Sequence, residues 1–168
     1  MPSLMRIADT LGAEIRRADP RSASIMHGDL CFSNILYNSR VRRIRALDPR
    51  GRVSEGANTI FGDMRYDLAK LAHSAIGRYD QIVAGRYVAK QDGLDFTLEL
   101  ESAPHHVWVE EGFKRIRVGD LAAHDPIIHA IMLTLFLSML PLHADRPDRQ
   151  TGFIANALRL YSALEKAS

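Results

Sequence analysis

"HGDLCFSN", residues 27–34, sets histidine, glycine and aspartate in succession and an asparagine five residues after the aspartate. Two strand-like runs come next, "NILYN" (34–38) and "RIRAL" (43–47), with the turn formers Asn38 and Ser39 between them, so the spacing predicts a small β-hairpin. Asp48 follows the second run directly and precedes Pro49. Because a hairpin returns the chain on itself, Asn34 and Asp48 are predicted to face one cleft beside Asp29, although fourteen residues separate them.

Helical spacing surrounds this centre. Leu4, Ile7, Ala8, Leu11 and Ile15 predict an amphipathic helix over residues 4–17, ended before Pro20. After the turn-rich "RVSEGANTIFG" (52–62), Met64, Leu68, Leu71 and Ala75 predict a helix with Asp63 as its cap rather than as a catalytic acid. "DFTLEL" (95–100) reads as a short strand, and Val109, Phe113 and Ile116 as the inner face of a helix over 105–118. Pro126 suits the first turn of an apolar helix stopping at Pro141, and Ile154, Leu158, Tyr161 and Leu164 mark the buried stripe of a final helix. The fold class is therefore mainly α with a small β-hairpin, an α+β arrangement in one domain spanning 1–168.

Composition narrows the function classes. With 168 residues, 46% of them hydrophobic, one core is expected. Twenty-two basic against 20 acidic residues leave a formal charge of +2, which demands neither nucleic acid nor an anionic membrane. "IIHAIMLTLFLSML" (127–140) is shorter than the roughly 20 residues of a membrane span, so a buried helix is expected. A lone Cys31 and the lack of a signal-peptide pattern at the N-terminus make the cytoplasm the expected location.

The order His27, Gly28, Asp29, Asn34, hairpin, Asp48 resembles a kinase catalytic loop and its metal-binding aspartate, in the form with glycine inside the triplet. "HGDLCFSNILY", "DPRG" and "GDMRYDLAKL" (62–71) together resemble the aminoglycoside phosphotransferase and choline kinase family, most of all a branch associated with capsule and surface-polysaccharide biosynthesis. The resemblance implies the C-terminal lobe of a protein kinase-like fold and a transferase that moves the terminal phosphoryl group of ATP to a small-molecule hydroxyl. Asp29 is then the catalytic residue, Asn34 and Asp48 hold Mg2+, and His27 and Asp67 brace the loop. Such chemistry needs these residue types: a carboxylate to orient a hydroxyl and accept its proton late, and hard oxygen ligands for a hard cation.

Each residue has a plainer use. Asp29 and Asn34 satisfy loop backbone in many proteins, and it is the ordered combination of three motifs that favours a site. Six arginines crowd between Arg40 and Arg52, where alternation puts Arg43 and Arg45 on one strand face and Ile44 and Ala46 on the other. Arg50, two residues beyond Asp48, is the candidate for a phosphate or anionic acceptor, with Arg65 a weaker second. No RNA-binding aromatic motif accompanies the cluster, so no nucleic-acid partner is expected. His105 with His106, and His124 with His129, lack the i, i+4 spacing of a zinc-binding helix. Cys31 is expected to be a packed thiol, Ser33 has no evident base, and Trp108 is expected to fill the helical core.

The family resemblance also implies a strand-rich N-terminal lobe carrying a Gly-rich loop and a lysine for the nucleotide phosphates, and nothing before His27 supplies these. The expectation is a lobe that binds ATP poorly by itself and is completed by a missing N-terminal lobe, a partner protein or a homodimer. The alternative is a non-catalytic ligand- or protein-binding module, pseudokinase-like, in surface-polysaccharide biosynthesis.

Overall fold

The computed structural model describes residues 3–18, 23–50 and 59–167. Helix α1, Leu4–Arg17, starts where the Ser3 side chain accepts a hydrogen bond from the Arg6 N–H at 3.3 Å, and it buries Ile7 and Leu11. The predicted hairpin forms as β2 (Ile35–Asn38) and β3 (Arg43–Ala46), in register Ile35 to Ala46 and Asn38 to Arg43. Its turn is closed by Asn38 Oδ1, which accepts from the Arg40 and Val41 N–H groups. Two strands outside the expected hairpin, β1 (Ala23–Ile25) and β4 (Phe61–Asp63), pair antiparallel on the loop's other flank. Most of "RVSEGANTIFG", with Arg52, lies outside the described residues, but its end is this strand and not loop.

Asp63 caps α2, Met64–Ala75, by accepting from the Arg65 N–H at 2.9 Å. After α3 (Tyr79–Val83), "DFTLEL" is strand β6 (Asp95–Leu100), paired to a partner missed in sequence, β5 (Tyr87–Asp92). Helix α4, Pro104–Lys114, ends four residues earlier than its spacing suggests. Gly119, at φ 61°, turns Arg117–Val118 (β7) back onto Leu121–Ala122 (β8), so Ile116 meets the core from a turn. Trp108 is 75% exposed on α4, contrary to expectation, because Val109 and Phe113 take the inward face.

Helix α5, Pro126–Leu142, includes Pro141 and ends at the next residue, close to the stop expected at that proline. In the last turn a proline forfeits only one intrahelical bond, and the Gln150 side chain donates to the Leu140 carbonyl at 2.7 Å to close the end. α5 packs against α1, α2 and the last helix, α6 (Pro147–Ala167), and buries Ile128, Met132, Leu133 and Phe136 in one cluster with Leu68, Phe113 and Phe153. The architecture is thus mixed α+β, mainly helical, with small two-stranded hairpins where one was expected. Among the described residues no helix is long and apolar enough to cross a membrane.

One polar side chain is sealed in this core. His73 on α2 stacks on Tyr79 with ring centroids 4.4 Å apart and lies 4.0 Å from the Phe136 ring, and neither ring nitrogen has a hydrogen-bond partner among the described residues. Burial, aided by the nearby Lys70 ammonium, pushes its pKa down to about 3. Below pH 6.5 the unfolded chain binds a proton at His73 that the folded chain refuses until about pH 3. The stability carried by the neutral ring is therefore full above pH 6.5 and drains by about 1.4 kcal/mol per pH unit as pH falls. His73→Phe is expected to flatten that part of the profile, measured by urea midpoints at pH 7 and pH 4.5.

Candidate functional site

The loop "HGDLCFSN" is fastened to one stripe of α2. The Asp67 carboxylate accepts from the His27 N–H at 2.6 Å and from the Gly28 N–H at 2.8 Å, one on each oxygen. One turn on, the Lys70 ammonium meets Asp29 Oδ1 at 2.9 Å. A further turn on, the buried Ser74 Oγ accepts from the Phe32 N–H at 3.0 Å. Positions 67, 70 and 74 share a helix face, so a rigid element holds three points of the loop in fixed order.

Within the loop, Gly28 takes φ +78°, and a Cβ there would stand 2.6 Å from the Arg50 carbonyl oxygen. Glycine is required both for the turn and for that close approach. The Arg50 N–H in turn donates to the His27 carbonyl at 2.7 Å, which ties the segment after Asp48 to the loop. His27 Nδ1 accepts from the Asp29 N–H at 3.3 Å, while its buried Nε2 has no hydrogen-bond partner among the described residues. These are the bonds that His27 and Asp67, expected from the resemblance to support the loop, make in the structure.

Asn34 Nδ2 donates to the Asp29 carbonyl at 2.9 Å, a bond in which the amide oxygen on the other branch takes no part. The hairpin ladder continues one step past β3, from the Leu47 N–H to the Asn34 carbonyl at 2.8 Å, so Asp48 follows directly on the residue paired with Asn34. Asp48 is exposed and sits at φ 54° ahead of a proline, a conformation that costs on the order of 1 kcal/mol for a non-glycine residue. One amide oxygen and one carboxylate suit a hard divalent cation that draws its remaining ligands from phosphates and water. Among the described residues no group of three or more His, Cys, Asp or Glu forms a self-sufficient metal cage.

Asp29 itself is nearly buried, its side chain 11% exposed, and it carries a cation on each oxygen: Lys70 on Oδ1 and the Arg50 guanidinium on Oδ2 at 3.1 Å. Arg50 is thus brought to the site, whereas Arg65 is not. The Arg65 guanidinium is buried and paired with the Asp63 carboxylate. Cys31 is buried with Sγ 3.1 Å from Ser33 Oγ, as a packed thiol. The other arginines behave differently from the amphipathic expectation. Every position of β3 is exposed, on both faces, and an open concavity of about 780 Å³ formed by Leu36–Val41 with Arg43 and Arg45 lies at the hairpin turn and excludes Asp29.

Lys70 and Ser74 were not identified from sequence. Their signal was available in the i, i+3, i+7 spacing from Asp67 on a helix already predicted, but a lysine and a serine between apolar positions look like solvated residues. No protein-family model, curated protein or solved structure matches the chain.

Removing the Asp67 carboxylate strands two backbone donors. Asp67→Ala is expected to cost about 2–3 kcal/mol, read by urea denaturation, with amide exchange at His27 and Gly28 accelerating before that of the helices. Gly28→Ala is expected to lower stability by at least about 1 kcal/mol in the same measurement, through its positive φ and its contact with the Arg50 carbonyl.

Proposed function

We propose that this chain is the catalytic and acceptor-binding lobe of a small-molecule phosphotransferase, resembling the C-terminal lobe of the aminoglycoside phosphotransferase and choline kinase family. The observation that carries the proposal is the position of Asp29: a nearly buried carboxylate, held from α2 by Lys70 and by the Asp67 grip on the preceding backbone, with Asn34 bonded to its own carbonyl.

In this mechanism an acceptor hydroxyl approaches Asp29, whose carboxylate orients the oxygen and receives its proton as the bond to the transferred phosphorus forms and the bond to the departing nucleotide breaks. Asn34 and Asp48 would hold Mg2+, which when bound offsets charge on the phosphates of ATP. Asp67 and His27 keep the loop in the reactive geometry and exchange no proton with substrate. Lys70 fixes one carboxylate oxygen, so the aspartate points rather than rotates. A nucleotide-binding lobe, from more of the same polypeptide or from a partner, completes the site.

Binding without turnover, as a pseudokinase-like module of surface-polysaccharide biosynthesis, is the second reading, favoured by the exposed apolar side chains of the hairpin. Leu36, Tyr37, Val41 and Ile44 all stand in solvent there, a surface suited to a partner protein or a second copy. The two readings separate in one kinetic comparison. With the nucleotide lobe supplied, ADP release dependent on a small-molecule alcohol is expected, falling about 10²–10⁴-fold in Asp29→Asn. Asn34→Ala and Asp48→Ala are expected to raise the Mg2+ concentration needed for half-maximal rate by about tenfold or more. ADP release that Asp29→Asn leaves unchanged would overturn the phosphotransferase reading.

A further inference from the structure

Asp29 carries two cations on one carboxylate, and the two are unequal. Lys70 is only 12% exposed, so its pair with Oδ1 is shielded from water; Arg50 is 64% exposed, and water and salt compete for its pair with Oδ2. One negative charge needs one cation. If Arg50 leaves, Lys70 still compensates the carboxylate, so the large penalty of an unpaired buried charge does not arise. Departure also requires no backbone movement. The Arg50 N–H is pinned to the His27 carbonyl and its own carbonyl is seated against Gly28, so the guanidinium swings out on side-chain torsions alone.

We infer that Arg50 is a displaceable cover on Asp29, and that the acceptor is a hydroxyl compound carrying an anionic group, phosphate or carboxylate, within an arginine's reach of the reacting hydroxyl. The anion takes the planar fork of Arg50, which gives two parallel hydrogen bonds where Asp29 offers one oxygen. Oδ2 is thereby uncovered for the hydroxyl, while Lys70 retains Oδ1 and the direction of the carboxylate. A neutral alcohol leaves the cover in place. The use of Oδ2 rests on the phosphotransfer reading above; the exchange of Arg50 between Asp29 and an anion does not.

The test is an NMR titration of the full chain with inorganic phosphate, with glycerol as the neutral control, following the Asp29 carboxylate carbon and the Arg50 Nε–H. Phosphate is expected to shift both resonances along one saturable curve, and glycerol to shift neither. In Arg50→Ala the Asp29 carbon is expected to begin where the phosphate-saturated wild type ends, and phosphate affinity to fall by about tenfold or more. Arg50→Lys, which keeps the charge and loses the fork, is expected to fall between. Unchanged His27 and Gly28 amide resonances show that each variant keeps its loop. An Asp29 carbon that stays still while Arg50 saturates, or undiminished phosphate affinity in Arg50→Ala, overturns the proposal. No nucleotide or turnover enters the titration, so its failure is separate from a failure of the Asp29→Asn kinetics.

Discussion

The grip of the Asp67 carboxylate on the His27 and Gly28 N–H groups is the constraint from which the site follows. Two charge-assisted bonds at 2.6 and 2.8 Å fix the backbone immediately before Asp29, and a backbone fixed there fixes the direction in which Asp29 leaves the loop. Everything downstream is referred to that direction: Lys70 from the same helix, Asn34 through the Asp29 carbonyl, and Arg50 through the His27 carbonyl. The helix that provides the grip is held in turn by the core, with Leu68, Ala69, Ala72 and Ala75 packed inward, so burial of apolar surface is converted into the placement of a carboxylate.

His73 shows how closely the two jobs share one helix. It follows the lysine face by three positions, yet its ring is committed to Tyr79 and Phe136 and stays neutral through the ordinary pH range. Tyr79 has its own hydroxyl pKa raised by burial first and by the neighbouring Cys31, Asp80 and Asp29 next, which keeps it protonated beside the loop. Neither group adds a titration near neutral pH to the surroundings of Asp29, whose charge is balanced by groups the helix and the loop provide.

Much of this was legible in the sequence where periodicity was strong. α1 has the limits its apolar spacing predicts, α2 begins at the predicted Asp63 cap, and the β2–β3 hairpin joins the two runs that flank Asn38. The failures have physical causes. Strands β1, β5, β7 and β8 are short or polar enough to carry no alternation, so their pairing is visible only in three dimensions. Of the candidate residues, Asp29, Asn34, Asp48, His27 and Asp67 were singled out by motif order and Arg50 by its place two residues after Asp48. Lys70 was not, because an ion pair across 41 residues of chain leaves no local pattern, and Arg65 was misplaced toward the site because sequence cannot tell which carboxylate a guanidinium will choose.

The stripe of Asp67, Lys70 and Ser74 also bears on how such a chain can vary. An α-helix turns about 100° per residue, so one inserted or deleted residue between positions 67 and 74 would carry Ser74 a quarter-turn or more off the loop while Asp67 stayed on it. The spacing along this part of α2 is therefore a fixed gauge, tolerant of changed side chains on its other faces and intolerant of changed length. The hairpin turn from Ser39 to Arg42 makes none of these bonds to α2, so no such gauge acts on it from the helix.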